Sequence, residues 1–379
     1  MDKKILVLFN SYWFNKDVMS GGIVRLVEIF KRLNMRNLTC LTNQNGVELF
    51  QEYRIRAKFI VTNSIFNKLT IIPSYIMRTI NALRALRKGD YDILYASSAF
   101  FTDVIPAYFK KNSKNVWVQC IFHLSPHWGK RKGNILVNIV AYYIQKISLY
   151  FIKRRADKVI VINNLIKNEL ESIGFNIEQI HYSPCGVDNN YLAKIERSNN
   201  EYDGVFLARL NYSKGIYDLI DVWKVVTQKI PSAKLAIIGG GNKRIKNGII
   251  KRIRKLDLVE NIHVLGFLEN IKAYSILKSG KVFLFPSHEE GWGISIAEAM
   301  LCKVPVVSWD LPVYKEIFNN YTIQIEENNI HLFSETIVDL FLNDQKRKGI
   351  AEEGYKFAQK YSWENAANTE LSILEGPHG

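Results

Sequence analysis

The sequence predicts an α/β chain of two doubly wound domains, each a parallel sheet with helices on both faces. Three observations predict it. At 379 residues the chain is too long for one ordinary core. Short runs rich in Val, Ile, Leu and Phe, each followed by Gly, Ser or Asn, alternate with helical patterns throughout. Such runs suit strands buried on both faces, as in a parallel sheet. The pattern lapses once, at "SPCGVDNNYLAKIERSNNEYDG" (183–204), where Pro, Gly and Asn cluster. Two Rossmann-like domains are therefore expected at 1–187 and 188–379, with the last helix, about 360–375, able to pack back on the N-terminal domain.

In chain order, "KILVLFN" (4–10) is the first strand, and the apolar run of "MDKKILVLFN" is too short for a signal peptide. "FNKLTIIPSYIMRTINALRALRK" (66–88) is apolar and basic together. "YDILYASS" (91–98) is a strand entered by a turn at Asp90 and Asp92, which is a better reading of this D-x-D than a divalent-ion site. "VWVQCIF" (116–122) is a strand ending beside His123. "NILVNIVAYYIQKISLYFI" (134–152) is helical, flanked by "GKRKG" and "KRRA". Asn134, Asn138, Ala141, Gln145 and Ser148 form a narrow polar stripe on it, which argues against a membrane span. A buried core helix and an interfacial helix held at anionic lipid by its basic ends both fit. "KVIVIN" (158–163) is the last strand of this half. The second half repeats the habit with "YDGVFLARL", "AKLAIIGG", "IHVLGF", "VFLFPS" and "VPVVSW", and ends in a helical stretch near 345–375.

The formal net charge is +15, and it is unevenly spread. Residues 1–190 hold 27 Lys and Arg against 13 Asp and Glu; residues 191–379 hold 24 against 23. A basic first half implies an anionic partner there, nucleic acid or a membrane surface, or else a solvated basic face. Cys40, Cys120, Cys185 and Cys302 are scattered and lie outside metal-ligand spacing, so reduced, buried thiols are expected.

Three motifs carry chemistry. In "LARLNYSKG", Arg209 and Lys214 flank a loop at the carboxyl end of a strand, where open α/β sheets bind ligands. A guanidinium fork and an ammonium point charge can clamp a diphosphate there. "IIGGGN" runs a strand into Gly239, Gly240 and Gly241, which lets backbone approach a ligand, though it lacks the dinucleotide spacing. "FPSHEEGWGISIAEAM" (285–300) reads as strand, loop and helix. Its glycines let peptide N–H groups face a ligand, and the helix N-terminus near Ile294 and Ser295 favours phosphate. Glu298, a turn inside, suits paired ribose hydroxyls, and Glu290 in the loop suits sugar hydroxyls.

These residues resemble the glycosyltransferases of family 4, whose GT-B architecture sets two Rossmann-like domains face to face across a cleft. The Glu-x7-Glu signature is Glu290 to Glu298. "GGIVRLVEIFKRL" resembles the family's glycine-rich first loop and helix, and "SPCGVD" its interdomain element, with Cys185 in place of the usual Asn. "ARLNYSKG", "IIGGGN", "VLGF" and the Glu290 segment follow in family order, so the resemblance spans nearly the whole chain. It implies a hexosyltransferase that retains configuration and takes a UDP- or GDP-linked sugar as co-substrate, without a metal or other cofactor. Arg209 and Lys214 would neutralise the diphosphate, and Glu298 would bind ribose. Glu290 would hold the transferred sugar with backbone amides around Trp292, Gly293, Ile294 and Ser295. Gly21 and Gly22 would approach the phosphate or sugar from the other domain, and His123 falls where members often have a histidine beside the sugar.

The basic half leads to the expectation of a glycan or polyprenyl-linked acceptor, reached by peripheral binding of the N-terminal domain to an anionic membrane on its cytoplasmic face. Rival readings are a sugar-nucleotide epimerase of the same architecture and a non-catalytic sugar-nucleotide-binding scaffold. No nucleic-acid-binding module is recognisable, so nucleic acid is not expected as a partner.

Overall fold

The computed structural model describes residues 2–11, 19–62, 71–131 and 134–376; Lys132 and residues 66–70 of the first apolar-basic stretch lie outside them. The chain divides into two compact units, Met1–Cys185 with Trp363–Gly379, and Gly186–Ser362. The division falls within the Pro, Gly and Asn cluster, and the terminal helix belongs to the first unit.

Among the described residues, the first unit is built on seven parallel strands: β1 (Ile5–Leu8), β2 (Leu38–Thr42), β3 (Lys58–Val61), β4 (Ile93–Ala96), β5 (Val116–Ile121), β6 (Lys158–Val161) and β7 (Ile180–Tyr182). Their order in the sheet is β3-β2-β1-β4-β5-β6-β7. β1 sits between β2 and β4, with Ile5 opposite both Leu38 and Ile93. All four β1 residues are buried, which is why the run is apolar on both faces. The connections are α1 (Gly21–Leu33), α2 (Gln44–Glu52), α3 (Ile71–Ala85), α4 (Phe101–Lys110), α5 (Ile135–Arg155) and α6 (Asn164–Ser172). Asp92 makes the turn into β4, its carboxylate accepting from Lys4 N at 2.7 Å.

The second unit begins with α7 (Asn189–Ala193) and carries six parallel strands: β8 (Tyr202–Leu207), β9 (Leu235–Ile238), β10 (Ile262–Gly266), β11 (Gly280–Phe285), β12 (Val306–Trp309) and β13 (Ile323–Ile325). Their order is β10-β9-β8-β11-β12-β13. Helices α8 (Ile216–Lys229), α9 (Lys243–Lys255), α10 (Asn270–Ser279), α11 (Ile294–Leu301) and α12 (Pro312–Ile317) connect them, and α13 (Ile330–Leu342) and α14 (Asp344–Ala358) follow. The chain runs outward from β8 through β9 and β10, then returns to β11 on the other side. The sheet's switch point therefore lies between β8 and β11.

The terminal helix α15 (Trp363–Glu375) packs on α1. Arg25 of α1 donates to Glu370 Oε2 at 2.6 Å and to Ser183 Oγ at 2.8 Å, while Tyr95 Oη donates to the other Glu370 oxygen. All four cysteines are free and buried.

The 134–152 helix departs from one of its two expected settings. α5 is not a core helix: of its 21 residues only Asn138, Ser148, Leu149 and Ile152 are buried. Its polar stripe faces inward, with Asn138 and Ser148 buried and Gln145 donating to His123 O at 3.2 Å.

Candidate active site

The loops that leave β8 and β11 meet at the switch point. Ala208 still bonds to β9, its N–H donating to Ile238 O at 3.1 Å. Arg209 follows, half-buried, and Leu210 N–H reaches Gly240 O at 2.7 Å. Asn211 then turns the chain: its side-chain oxygen accepts from Lys214 N at 3.1 Å and from Ser213 Oγ at 2.9 Å. Gly215 closes the turn at φ 66°. A Cβ there would lie 1.7 Å from Pro286 O, so only glycine lets the two loops lie together.

Across that contact His288 N–H donates to Ser213 O at 2.8 Å, and Ser287 Oγ lies 3.1 Å from the same carbonyl. The Lys214 ammonium contacts Oε1 of Glu290 and donates to Glu289 O at 3.2 Å. Ser287 Oγ is 3.2 Å from the same Glu290 oxygen. The Lys214 and Glu290 side chains are 14% and 11% exposed, so their charges act on each other with little water between. The Tyr314 ring is buried behind them; burial, and then the nearby Glu290 charge, push its phenol pKa well up. His288 is braced by a carboxylate at each ring nitrogen, with Asp218 Oδ2 2.8 Å from Nε2 and Glu327 at Nδ1.

After the loop, Gly293 adopts φ 103° and opens α11 with no side-chain cap. A Cβ on it would meet Phe318 Cε2 at 2.9 Å. Gly293 O accepts from Ile296 N and Ala297 N, and the amides of Ile294 and Ser295 open the helix, where peptide dipoles favour an anion. Glu298 lies one turn in, and Tyr274 of α10 donates to its Oε1 at 2.7 Å.

Parts of these motifs also pack against the protein itself. The side chain of Trp292 is fully buried, edge-to-face against Phe318 and Tyr361. It builds the core, and only its backbone can serve a ligand. Gly239 and Gly240 also bring their backbone close to the loop after β8. A Cβ on Gly239 would lie 1.8 Å from Ala208 O, and Gly240 O bonds Leu210. They fix the loop that carries Arg209.

Gly21, Gly22 and His123 belong to the first unit. Gly21 and Gly22 open α1, and a Cβ on Gly22 would sit 3.2 Å from Cγ of Phe122. His123 follows directly, so these residues gather at the carboxyl end of β5, an interior strand of the first sheet. Sequence reading assigned no role to Ser287, Tyr274 or Tyr314. Ser287 stood inside the quoted motif; the two tyrosines come from separate helices and carry no local signal. Among the described residues no group of three or more His, Cys, Asp and Glu is placed to hold a metal ion.

Two family models match in tandem, Glycosyltransferase Family 4 over residues 19–191 and Glycosyl transferases group 1 over residues 188–357. An uncharacterized glycosyltransferase of Methanocaldococcus jannaschii is 28% identical over 60% of this chain and 62% of its own. The poly(glycerol-phosphate) alpha-glucosyltransferase of Bacillus subtilis is 26% identical over 67% of this chain and 37% of its own. The aligned stretches thus span less than two thirds of either relative. Among solved structures, Anabaena HepE in complex with UDP and glucose superposes with a TM-score of 0.77 at 18% identity, covering 99% of this chain and 100% of that one. With two parallel-sheet units in tandem and both family models matched in order, the chain is a GT-B-fold glycosyltransferase related to the family 4 and group 1 glycosyl transferases.

Proposed function

We propose that the chain transfers a hexosyl unit, with retention, from a UDP-linked sugar to a hydroxyl of a glycan. The observation that carries this reading is the Lys214–Glu290–Ser287 cluster at the switch point, with Glu298 one turn into the following helix. The Anabaena structure, which holds UDP and glucose, supports uridine as the donor base. The Bacillus relative, named for glucosylation of poly(glycerol phosphate), supports a polymeric acceptor. The finer reading is a polyprenyl-linked or otherwise lipid-anchored acceptor at the cytoplasmic face of a membrane, supported by the basic first half.

The chemistry follows from charge. As the bond between the anomeric carbon and the diphosphate oxygen breaks, its electron pair leaves with the diphosphate. Arg209, Lys214 and the α11 amides present fixed positive potential to that growing charge, which lowers the barrier without reorganisation. The acceptor oxygen bonds the anomeric carbon on the same face, and its proton passes to the departing oxygen. Glu290 has one oxygen committed to Lys214 and Ser287, which leaves the other to accept sugar hydroxyls. Glu298, oriented by Tyr274, takes the ribose. Lys214 thus serves twice, as counter-charge and as the group that fixes Glu290.

The test is a thermal-shift screen of nucleotide sugars followed by transfer of labelled sugar to a lipid-extracted glycan. A ligand at about 100 times its dissociation constant adds about 2.7 kcal/mol to stability. Lys214→Ala and Glu290→Ala should each lower kcat by roughly 100- to 1000-fold. Unchanged transfer in both variants refutes the site assignment, and conversion of the donor sugar without transfer supports the epimerase instead.

A further inference from the structure

The first unit carries an apolar surface that its own fold leaves uncovered. α4 packs between α3 and α5 on the unit's sheet. On α5, Leu136, Val140, Tyr143, Ile147 and Tyr150 recur at three- and four-residue spacing and are all exposed, Leu136 at 69% and Ile147 at 56%. The stripe covers four turns, about 21 Å. Ile76 and Ile80 on α3 and Phe109 on α4 add exposed apolar side chains to the same layer. A water-facing helix ordinarily shows the reverse, polar outward. Here the polar groups are spent inside: Gln145 accepts from Ser125 N at 2.8 Å, and Asn138 donates to Arg131 O at 2.9 Å. Arg155 anchors the far end through Tyr108 O and Lys111 O.

The surroundings say what covers it. Residues 58–155 hold 16 Lys and Arg against three acids, Asp90, Asp92 and Asp103. Asp103 is fully buried and Asp92 is tied to Lys4. Exposed Lys130 lies just before the stripe, and exposed Lys153 and Arg154 end it. Arg154 lies over the Tyr150 ring at 5.3 Å and Lys146 over Tyr142 at 5.4 Å. Such aromatic-cation pairs suit the level where acyl chains meet headgroups. A second copy of the chain on this face would set like-charged rims against each other, which disfavours a dimer.

We propose that the α3–α4–α5 face docks on an anionic phospholipid surface, with the α5 stripe in the acyl boundary and the basic side chains at the headgroups. The helix lies in the membrane plane, because its polar stripe and Arg155 bind it to the unit. This deepens the membrane location proposed above and names its contact, but the test reads lipid binding alone. Its failure leaves sugar transfer standing, and failed transfer leaves it standing.

The test is flotation of the full chain with phosphatidylcholine vesicles and with phosphatidylcholine–phosphatidylglycerol vesicles. Recovery should be at least about tenfold higher on the anionic vesicles and should fall at high salt. The double variant Y143S/I147E should lose that recovery while melting at the parent's temperature, since both side chains are exposed. Neutralising Lys153 and Arg154 to Gln should weaken binding and its salt dependence together. Equal recovery on neutral and anionic vesicles overturns the proposal, as does full binding by Y143S/I147E. So does a dimer in sedimentation that Y143S/I147E dissociates, with no vesicle recovery.

Discussion

Replacing Glu370 by Leu tests how the terminal helix is tied to the first unit. Glu370 and Arg25 are 0% and 1% exposed, with oxygen and nitrogen 2.6 Å apart. At an effective dielectric of about 20, that separation corresponds to about 6 kcal/mol of attraction before desolvation. Glu370→Leu leaves the guanidinium buried with only Ser183 and Cys120 as partners and removes the acceptor of Tyr95. Breaking one side of such a pair costs about 3–5 kcal/mol. For a unit of about 200 residues, each kcal/mol moves Tm by about 2–4 °C, so a fall of about 6–20 °C is expected. Calorimetry should show the first unit's transition moving while the second unit's stays. The double variant R25M/E370L should recover most of the loss, because two apolar side chains replace two charges. A fall below about 1 kcal/mol, or a double variant as unstable as the sum of the singles, refutes the reasoning.

Three further outcomes are expected. Tyr274→Phe removes the hydroxyl that orients Glu298 and should raise the donor KM by up to about tenfold with kcat nearly unchanged, read from initial rates over a donor series. Gly215→Ala places a methyl on Pro286 O at a left-handed φ; it should cost roughly 1–3 kcal/mol in thermal unfolding and misplace Lys214, with a loss of transfer larger than the loss of stability. Asp103 is buried beneath Asn10, Ser11, Ser97 and Ser98, and burial raises its pKa to about 6 despite their hydrogen bonds. The folded form therefore holds its proton where the unfolded chain, near 3.8, has lost it. Its contribution is full below about pH 4 and is lost as pH rises through about 6, a change of roughly 3 kcal/mol. Asp103→Asn should flatten that part of the stability profile, checked by denaturant melts from about pH 4 to 7; an unchanged slope would reject the assignment.

Much of this arrangement was legible in sequence, for identifiable reasons. The nine runs named from sequence all contain strands because each is apolar with little alternation; eight are interior strands, as such runs suit, and β10 is an edge strand that still carries the pattern. β2 was missed because "LTCLT" interleaves Thr with the apolar residues, which weakens the apolar run even though Asn43 follows it. β3, β7 and β13 are edge strands of four, three and three residues, where one neighbour is missing and the apolar demand is weak. The α5 setting could not be read because a narrow polar stripe on an apolar helix has the same spacing whichever way it faces. Only the partners of Gln145 and Asn138 reveal that it faces in. In the site, Lys214, Glu290 and Glu298 were legible because each sits in a short motif. Tyr274 and Tyr314 act from helices distant in sequence, and nothing local marks them.

The glycines near the site bring backbone against backbone. Gly215 lets the β8 loop touch Pro286 of the β11 loop, and Gly239 lets the end of β9 touch Ala208. Both contacts are between protein backbones, and together they fix the loops that carry Arg209, Lys214 and Glu290. A flexible ammonium on four methylenes would otherwise lose much rotamer freedom on meeting a phosphate. Here Lys214 is already held by Glu290 and Glu289 O, so much of that ordering cost falls on folding and less on binding. Such prior placement is what electrostatic catalysis needs, because a charge that must first reorient lowers the barrier less than one already in position. The Lys214–Glu290 pair is thus more than a surface ion pair that happens to lie near a motif. Its two members approach from different loops, and the packing of glycine against backbone makes that approach possible.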